Sequence, residues 1–207
     1  ALSDEILVNQ TTDGLQQFTG ANGPTSATAP DGSMVVTWEA LDPTTSGWDV
    51  KARRFNSDGS SAGDEFRVNT TAARSQRGPA VAVADDGRFI ITWQSDHQTG
   101  NGWGILGQKY EANGSPIGTE FRVSSVNARS QIDSSVTFLP GGNFAIAWSG
   151  FGASETSGVF IRIFDNGGSP VTGELRVNET VLGRQSEPSV TTDSTGGIVV
   201  SWSGHGS

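Results

Sequence analysis

Asp96, His97, Asn101 and Trp103 fall within one short stretch that also holds Gly100 and Gly102. An indole flanked by a carboxylate, an imidazole and an amide suits a sugar, whose ring has apolar faces and a rim of hydroxyls. Related but unequal sets stand elsewhere in the chain: Asp42 with Trp48, then Phe151 with Glu155, and His205 near the end. Asp42, Trp48, Asp96, His97, Asn101, Trp103, Phe151 and Glu155 are therefore the candidate ligand-binding residues. The competing reading of Trp48 and Trp103 is that each packs between neighbouring sheets where a strand begins. Acid–base chemistry is a second option, because a glycosidase needs two carboxylates at a fixed separation. Asp42, Asp96, Asp133, Glu155 and Glu187 all fall in loops of one class, and spacing alone pairs none of them. Other catalysts have little to draw on: the chain has two His, with no G-x-S-x-G elbow and no H-E-x-x-H. No cofactor is expected; the D-x-D-x-D-G calcium loop is absent, and calcium held by backbone carbonyls of the Gly-rich loops stays open.

A further set recurs in phase: Arg74, Arg129 and Arg184 with Gln76, Gln131 and Gln185. One reading has them tie a loop down through hydrogen bonds to its carbonyls. The other gives one anion or sugar contact per repeat.

These residues are carried by a repeat. Glu65-Phe66-Arg67-Val68-Asn69 returns as Glu120-Phe121-Arg122-Val123-Ser124 and as Glu174-Leu175-Arg176-Val177-Asn178, with a weaker copy at Glu5-Ile6-Leu7-Val8-Asn9. Trp38, Trp93, Trp148 and Trp202 follow at steps of 55, 55 and 54 residues. A period of this size means one supersecondary unit used again and again. Each unit has four apolar runs. In the second copy they are Ala80–Val83 (A), Phe89–Trp93 (B), Trp103–Tyr110 (C) and a Glu-Phe-Arg-Val run (D), which is either Glu65–Val68 or its successor Glu120–Val123. Run B alternates large apolar residues (Phe89, Ile91, Trp93) with Ile90 and Thr92, so both of its faces are semi-apolar. Asp31-Gly32, Asp86-Gly87 and Gly141-Gly142 join A to B, and Asp58-Gly59, Asn113-Gly114 and Gly167-Gly168 join C to D, as hairpin signals. With no segment of helical period, the chain is expected to be all-β, a β-propeller-like array of four-stranded antiparallel blades. A twisted β-solenoid or sandwich is the alternative. The units are 5–63, 64–118, 119–173 and an incomplete 174–207. The Glu5–Asn9 run could close a four-bladed ring beside the last A and B; otherwise the chain is an arc of a larger ring, with open edges free for self-association.

Alternating strand direction puts the A–B and C–D turns on one face and the B–C and D–A loops on the other. The B–C loops are 39–47, 94–102 and 149–157; the D–A loops are 10–23, 70–78, 125–133 and 179–187. The longer, unequal loops belong to this second face, and function concentrates on such loops.

Composition narrows the partners. A net charge of −9, from 22 acidic and 13 basic residues, argues against nucleic acid and anionic membranes. No run reaches the roughly 18 apolar residues of a membrane span. Without Cys, disulfides and thiolate metal sites are excluded. The start at Ala1 and the stop just after Trp202 suggest a piece of a longer polypeptide.

The pattern E-F-x-V-N, Q-x-x-P-x-V, G-x-F-x-x-x-W and G-x-G-I-x-x-Q-x-Y resembles the roughly 50-residue repeats of large secreted bacterial adhesins and RTX-type exoproteins. Residues 64–178 carry it best. The resemblance implies propeller-like modules and a secreted or cell-surface location, without fixing one activity. Taken with the loop face, it leads to the expectation of a non-enzymatic extracellular binding or adhesion module for carbohydrate or another cell-surface ligand. The alternatives are a glycan-processing enzyme of glycoside hydrolase type, or a structural repeat of a large secreted protein.

Overall fold

The computed structural model describes residues 5–18, 25–45, 47–96, 102–125, 129–151, 157–180 and 182–204. Its regular elements are strands, apart from one short 3-10 turn at Pro140–Gly142. The first sheet holds β1 (Gln16–Gln17), β2 (Ser26–Thr28), β3 (Met34–Leu41), β4 (Trp48–Phe55) and β5 (Phe66–Arg67). The second holds β6 (Gln76–Val83), β7 (Phe89–Asp96), β8 (Trp103–Tyr110) and β9 (Pro116–Arg122). The third is β10 (Ile132–Phe138), β11 (Phe144–Phe151), β12 (Ser157–Phe164) and β13 (Leu175–Arg176), and the fourth is β14 (Gln185–Thr192) with β15 (Ile198–Gly204). All pairings are antiparallel, and each D strand joins the sheet that precedes it in the chain. The innermost strands β2, β6, β10 and β14 touch one another in turn. This is the β-propeller-like array of blades, with A strands at the axis and D strands at the rim. No helix among the described residues is long and apolar enough to cross a membrane.

Both faces of each B strand are used. Phe89, Ile91 and Trp93 pack on Val35, Val50, Ala52 and Val68 of the first sheet. Ile90 on the other face joins Ala80 and Ala82 against Phe144, Ile146 and Trp148 of the third. The tryptophan-bearing face of each B strand thus looks toward the preceding sheet and the alternate face toward the next. Trp38, Trp93 and Trp148 are at most 2 % exposed. Trp202 has the same phase but is 39 % exposed; among the described residues its sheet has two strands.

The first sheet departs from expectation. Its A strand is in two pieces, β1 and β2, both paired with β3, so the 10–23 segment read as loop contains a strand. Ring closure by Glu5–Asn9 is also corrected. That segment is not a strand, and it lies on the first sheet, where the Arg53 guanidinium donates to the Leu7 and Val8 carbonyls at 3.1 Å each.

Candidate functional site

The in-phase glutamines organise the loop face. Gln16, Gln76, Gln131 and Gln185 each accept the indole N–H of their own sheet's tryptophan, at 2.9, 3.2, 3.0 and 2.9 Å. Their amide nitrogens donate to nearby carbonyls, such as that of Phe151 at 3.0 Å for Gln131. The glutamines therefore hold the structure together and do not reach for ligand. Two of the arginines have contacts within their own repeats: Arg74 lies 3.9 Å from Asp96, and the Arg129 guanidinium sits 4.9 Å above the Phe151 ring.

Two residues beyond Gln76, Gln131 and Gln185, the A strand bulges. Register slips between Arg77 and Ala80, between Ile132 and Ser135, and between Ser186 and Ser189. The bulged residues are Gly78, Asp133 and Glu187, with φ of 60°, 59° and 58°. Glycine takes this left-handed conformation freely, whereas another residue meets a cost of about 1–2 kcal/mol. Two carboxylates held there at successive blades are the kind of backbone outlier that concentrates at functional sites. Each is braced in the same way. The Ser149 hydroxyl lies 2.9 Å from Asp133 Oδ2, and the Ser203 hydroxyl 3.0 Å from Glu187 Oε2; both serines directly follow the in-phase tryptophan. Asp133 is 8 % exposed, and Glu187 is open to solvent. β10 and β14 touch, and the bulges fall at the same point of each strand, so Asp133 and Glu187 occupy equivalent positions on neighbouring inner strands.

The preceding sheets hold these positions as well. Gln94 follows Trp93 and accepts the Asp133 N–H at 3.3 Å. Glu39 follows Trp38, is fully buried, and accepts the Gly78 N–H at 2.6 Å and the Arg77 Nε–H at 3.0 Å. Gly78 itself brings no side chain, and a Cβ there would meet the Gln94 amide at 3.3 Å. Equivalent bulge positions on three successive blades thus hold Gly78, Asp133 and Glu187.

The aromatic set is distributed differently. Trp48 begins β4 and is half-buried, with the Arg77 guanidinium of the next sheet 4.8 Å above its ring. Trp103 begins β8, also half-buried, and its carbonyl accepts the Gln131 N–H of the next sheet at 2.7 Å. Both therefore touch the following blade where strand C starts. Asp42 Oδ1 accepts the Thr44 hydroxyl and N–H at 2.6 and 2.7 Å, and these bonds hold its carboxyl below the usual range. Asp96 faces Trp103 in strand register, and Phe151 closes β11. His97, Asn101 and Glu155 lie outside the described residues. Burial, with the Glu120 charge adding to it, pushes the Tyr110 phenol well up; its hydroxyl points to the Val68 carbonyl at 3.4 Å. Among the described residues no group of three or more His, Asp or Glu could hold a metal ion.

The sequence put Asp133 and Glu187 among five loop-face carboxylates without pairing them, whereas both lie inside strands β10 and β14; Glu39 was not among the candidates. The signal was there: the residue two beyond the glutamine is Gly in the second copy and a carboxylate in the third and fourth.

No protein-family model and no curated protein sequence matches the chain. Solved structures do match in fold. An alpha-L-arabinanase of Penicillium chrysogenum, in complex with arabinobiose, aligns with a TM-score of 0.61 at 14 % identity over 87 % of this chain and 58 % of its own. A Hadza microbial sialidase aligns at 0.54 and 13 %, over 89 % and 46 %. An endo-arabinase of Bacteroides thetaiotaomicron aligns at 0.52 and 11 %, over 83 % and 66 %. The chain thus spans about half to two-thirds of the length of these structures. At such identities the likeness shows the fold. The expectation of a non-enzymatic adhesion module is corrected by it, since the matching folds belong to proteins named as enzymes that act on glycans.

Proposed function

We propose that the chain forms part of a glycan-processing enzyme, a propeller of glycoside hydrolase type in which Asp133 and Glu187 are the paired carboxylates. The observation that carries this reading is their placement. Two carboxylate-bearing residues occupy the same left-handed bulge on adjacent inner strands, each tied by a serine hydroxyl, with Gly78 at the same position of the blade before them. Hydrolysis of a glycosidic bond asks for two such groups. One protonates the departing oxygen; the other activates water or attacks the anomeric carbon. The Gln94 amide is the neighbouring group for a sugar hydroxyl, while buried Glu39 holds Gly78 and Arg77 in place beside it. The glycan-acting names of the structural neighbours support the reading, and a polymeric glycan substrate fits a location outside the cell.

Reducing-sugar release from arabinan and sialic acid release from sialylated glycans test it. Asp133→Asn and Glu187→Gln are each expected to lower turnover by about 10²–10⁴, the range of a single acid–base group, with unchanged melting temperature. Undiminished turnover in both variants would remove the pair from the chemistry.

A further inference from the structure

We propose that a cavity at the rim, between the first and second sheets, is a binding site for a guanidinium group of the kind an arginine side chain carries. The cavity measures about 710 Å³ and is lined by Phe66, Leu106, Gln108, Tyr110 and Phe121, a size and apolar character usual for ligand sites. Its walls are β5 on one side and β8 with β9 on the other, all interior to the described chain.

The repeat supplies its own comparison. Arg53, Gln108 and Arg162 hold one position of strand C, opposite Val36, Ile91 and Ile146. Both arginines cross to the D run of the preceding copy. Arg53 Nη1 donates to the Val8 carbonyl at 3.1 Å, and Arg162 Nη1 to the Val123 carbonyl at 3.0 Å. Each guanidinium also lies over the ring that ends its own strand, 5.3 Å from Phe55 and 5.5 Å from Phe164. A planar, weakly hydrated cation is held well by a ring face and a carbonyl together. Gln108 makes neither contact. Its amide nitrogen turns back to the Lys109 and Ile117 carbonyls of its own sheet, at 2.8 and 3.1 Å. The carbonyl in phase with those of Val8 and Val123 is that of Val68, which the Tyr110 hydroxyl approaches at 3.4 Å, long for an O–H···O bond. Ring and carbonyl, the two features that hold a guanidinium in the other copies, both border the cavity.

The remaining walls suit an arginine-like ligand. The half-buried Phe66 and Phe121 offer apolar sides for the methylenes of its stem, and Glu120 brings a carboxylate. Arg67 and Arg122 line the cavity as well, but each has a partner elsewhere. Arg67 Nη1 lies 3.9 Å from Asp49, and Arg122 Nη2 donates to the Ser125 carbonyl at 3.5 Å.

The probe is propylguanidinium, added to the intact chain and followed by amide chemical shifts, with neutral propylurea as its control. Saturable shifts are expected at 66–70, 106–110 and 116–122 for the cation and none for the urea. Gln108→Arg provides the group from within the chain and should abolish these shifts at an unchanged or raised melting temperature. Tyr110→Phe gives the second copy the ring of the other two and frees the Val68 carbonyl; it should tighten binding by about 2–10-fold, the effect of one hydrogen bond. Tighter binding of N-acetylarginine amide than of propylguanidinium would assign the site to an arginine of a polypeptide, and equal affinities to a small guanidinium compound. Absence of saturable shifts overturns the proposal, as does a response that persists in folded Gln108→Arg or is equal for propylurea.

Discussion

At the residue scale, two tryptophans ten residues apart separate scaffold from loop face. Trp93 is fully buried and hydrogen-bonded to Gln76, and Trp93→Ala should lower stability by about 3–5 kcal/mol. Trp103 is half-buried at the start of β8, and Trp103→Ala should cost about 1 kcal/mol or less if its ring lies mainly on the surface. Denaturant melts of the two variants decide this, and equal large losses would place Trp103 firmly between blades. The 55-residue rhythm made Trp93 legible because one side chain in each copy meets the same surroundings. Trp202 kept the rhythm and not the burial, since burial also depends on strands that sequence phase does not count. Glu65 gives a pH test. Burial opposes its ionisation, yet bonds from the Thr11 hydroxyl, the Lys51 ammonium and the Gln10 and Thr11 N–H groups outweigh that. Its carboxyl falls from the ordinary 4.5 to about 2. A depressed folded value means the unfolded chain binds the proton first, so this stability is complete above about 4.5 and lost as pH falls toward 2. Acid melts should show Glu65→Gln with a shallower decline across that window; an unchanged slope would mean that the N-terminal segment is held by other contacts.

At the element scale, neighbouring sheets are fastened by recurring links. The D-strand glutamates Glu65, Glu120 and Glu174 accept N–H groups of Gln10, Thr70 and Ser125, each just beyond the D run of the preceding copy. On the opposite face the Arg54 guanidinium donates to the Ala112 carbonyl and the Lys109 ammonium to that of Asn166. Alternation and hairpin signals revealed the strands, but not these links, which depend on how sheets stack. The bulges were equally hidden: a slip of register leaves apolar alternation intact on both sides of it, and only Gly78 marks the conformation that Asp133 and Glu187 share. Loop contact has its own test at Gly47. A Cβ there would come within 2.3 Å of the Arg74 carbonyl oxygen, a backbone atom of the next D–A loop that cannot swing aside. Gly47→Ala should therefore destabilise the first two sheets by about 1–3 kcal/mol, as overpacking does. A melting temperature equal to that of the parent would show that the two loops part easily.

At the scale of the whole molecule, the sheets succeed one another in chain order, and each draws its core from its neighbours. Stability in such an array is a sum of unit terms and nearest-neighbour contacts, so position in the row should set local stability. The second and third sheets are covered on both sides; β7 and β11 are buried along most of their length. Among the described residues the fourth sheet has one covered side and two strands, and β15 is exposed at six of its seven residues. Amide hydrogen exchange should therefore be slowest in β7, β8 and β11 and fastest in β15 and the 5–18 segment, with β14 between them. The gradient matters for the chemistry proposed here, because Asp133 lies on a well-covered strand while Glu187 depends on Ser203 of β15 for its bracing. Ser203→Ala should disturb Glu187 with little effect on the second sheet's exchange rates. Uniform protection from β6 to β15 would mean that the molecule opens as one cooperative unit, and the blade-by-blade account of its stability would have to be given up.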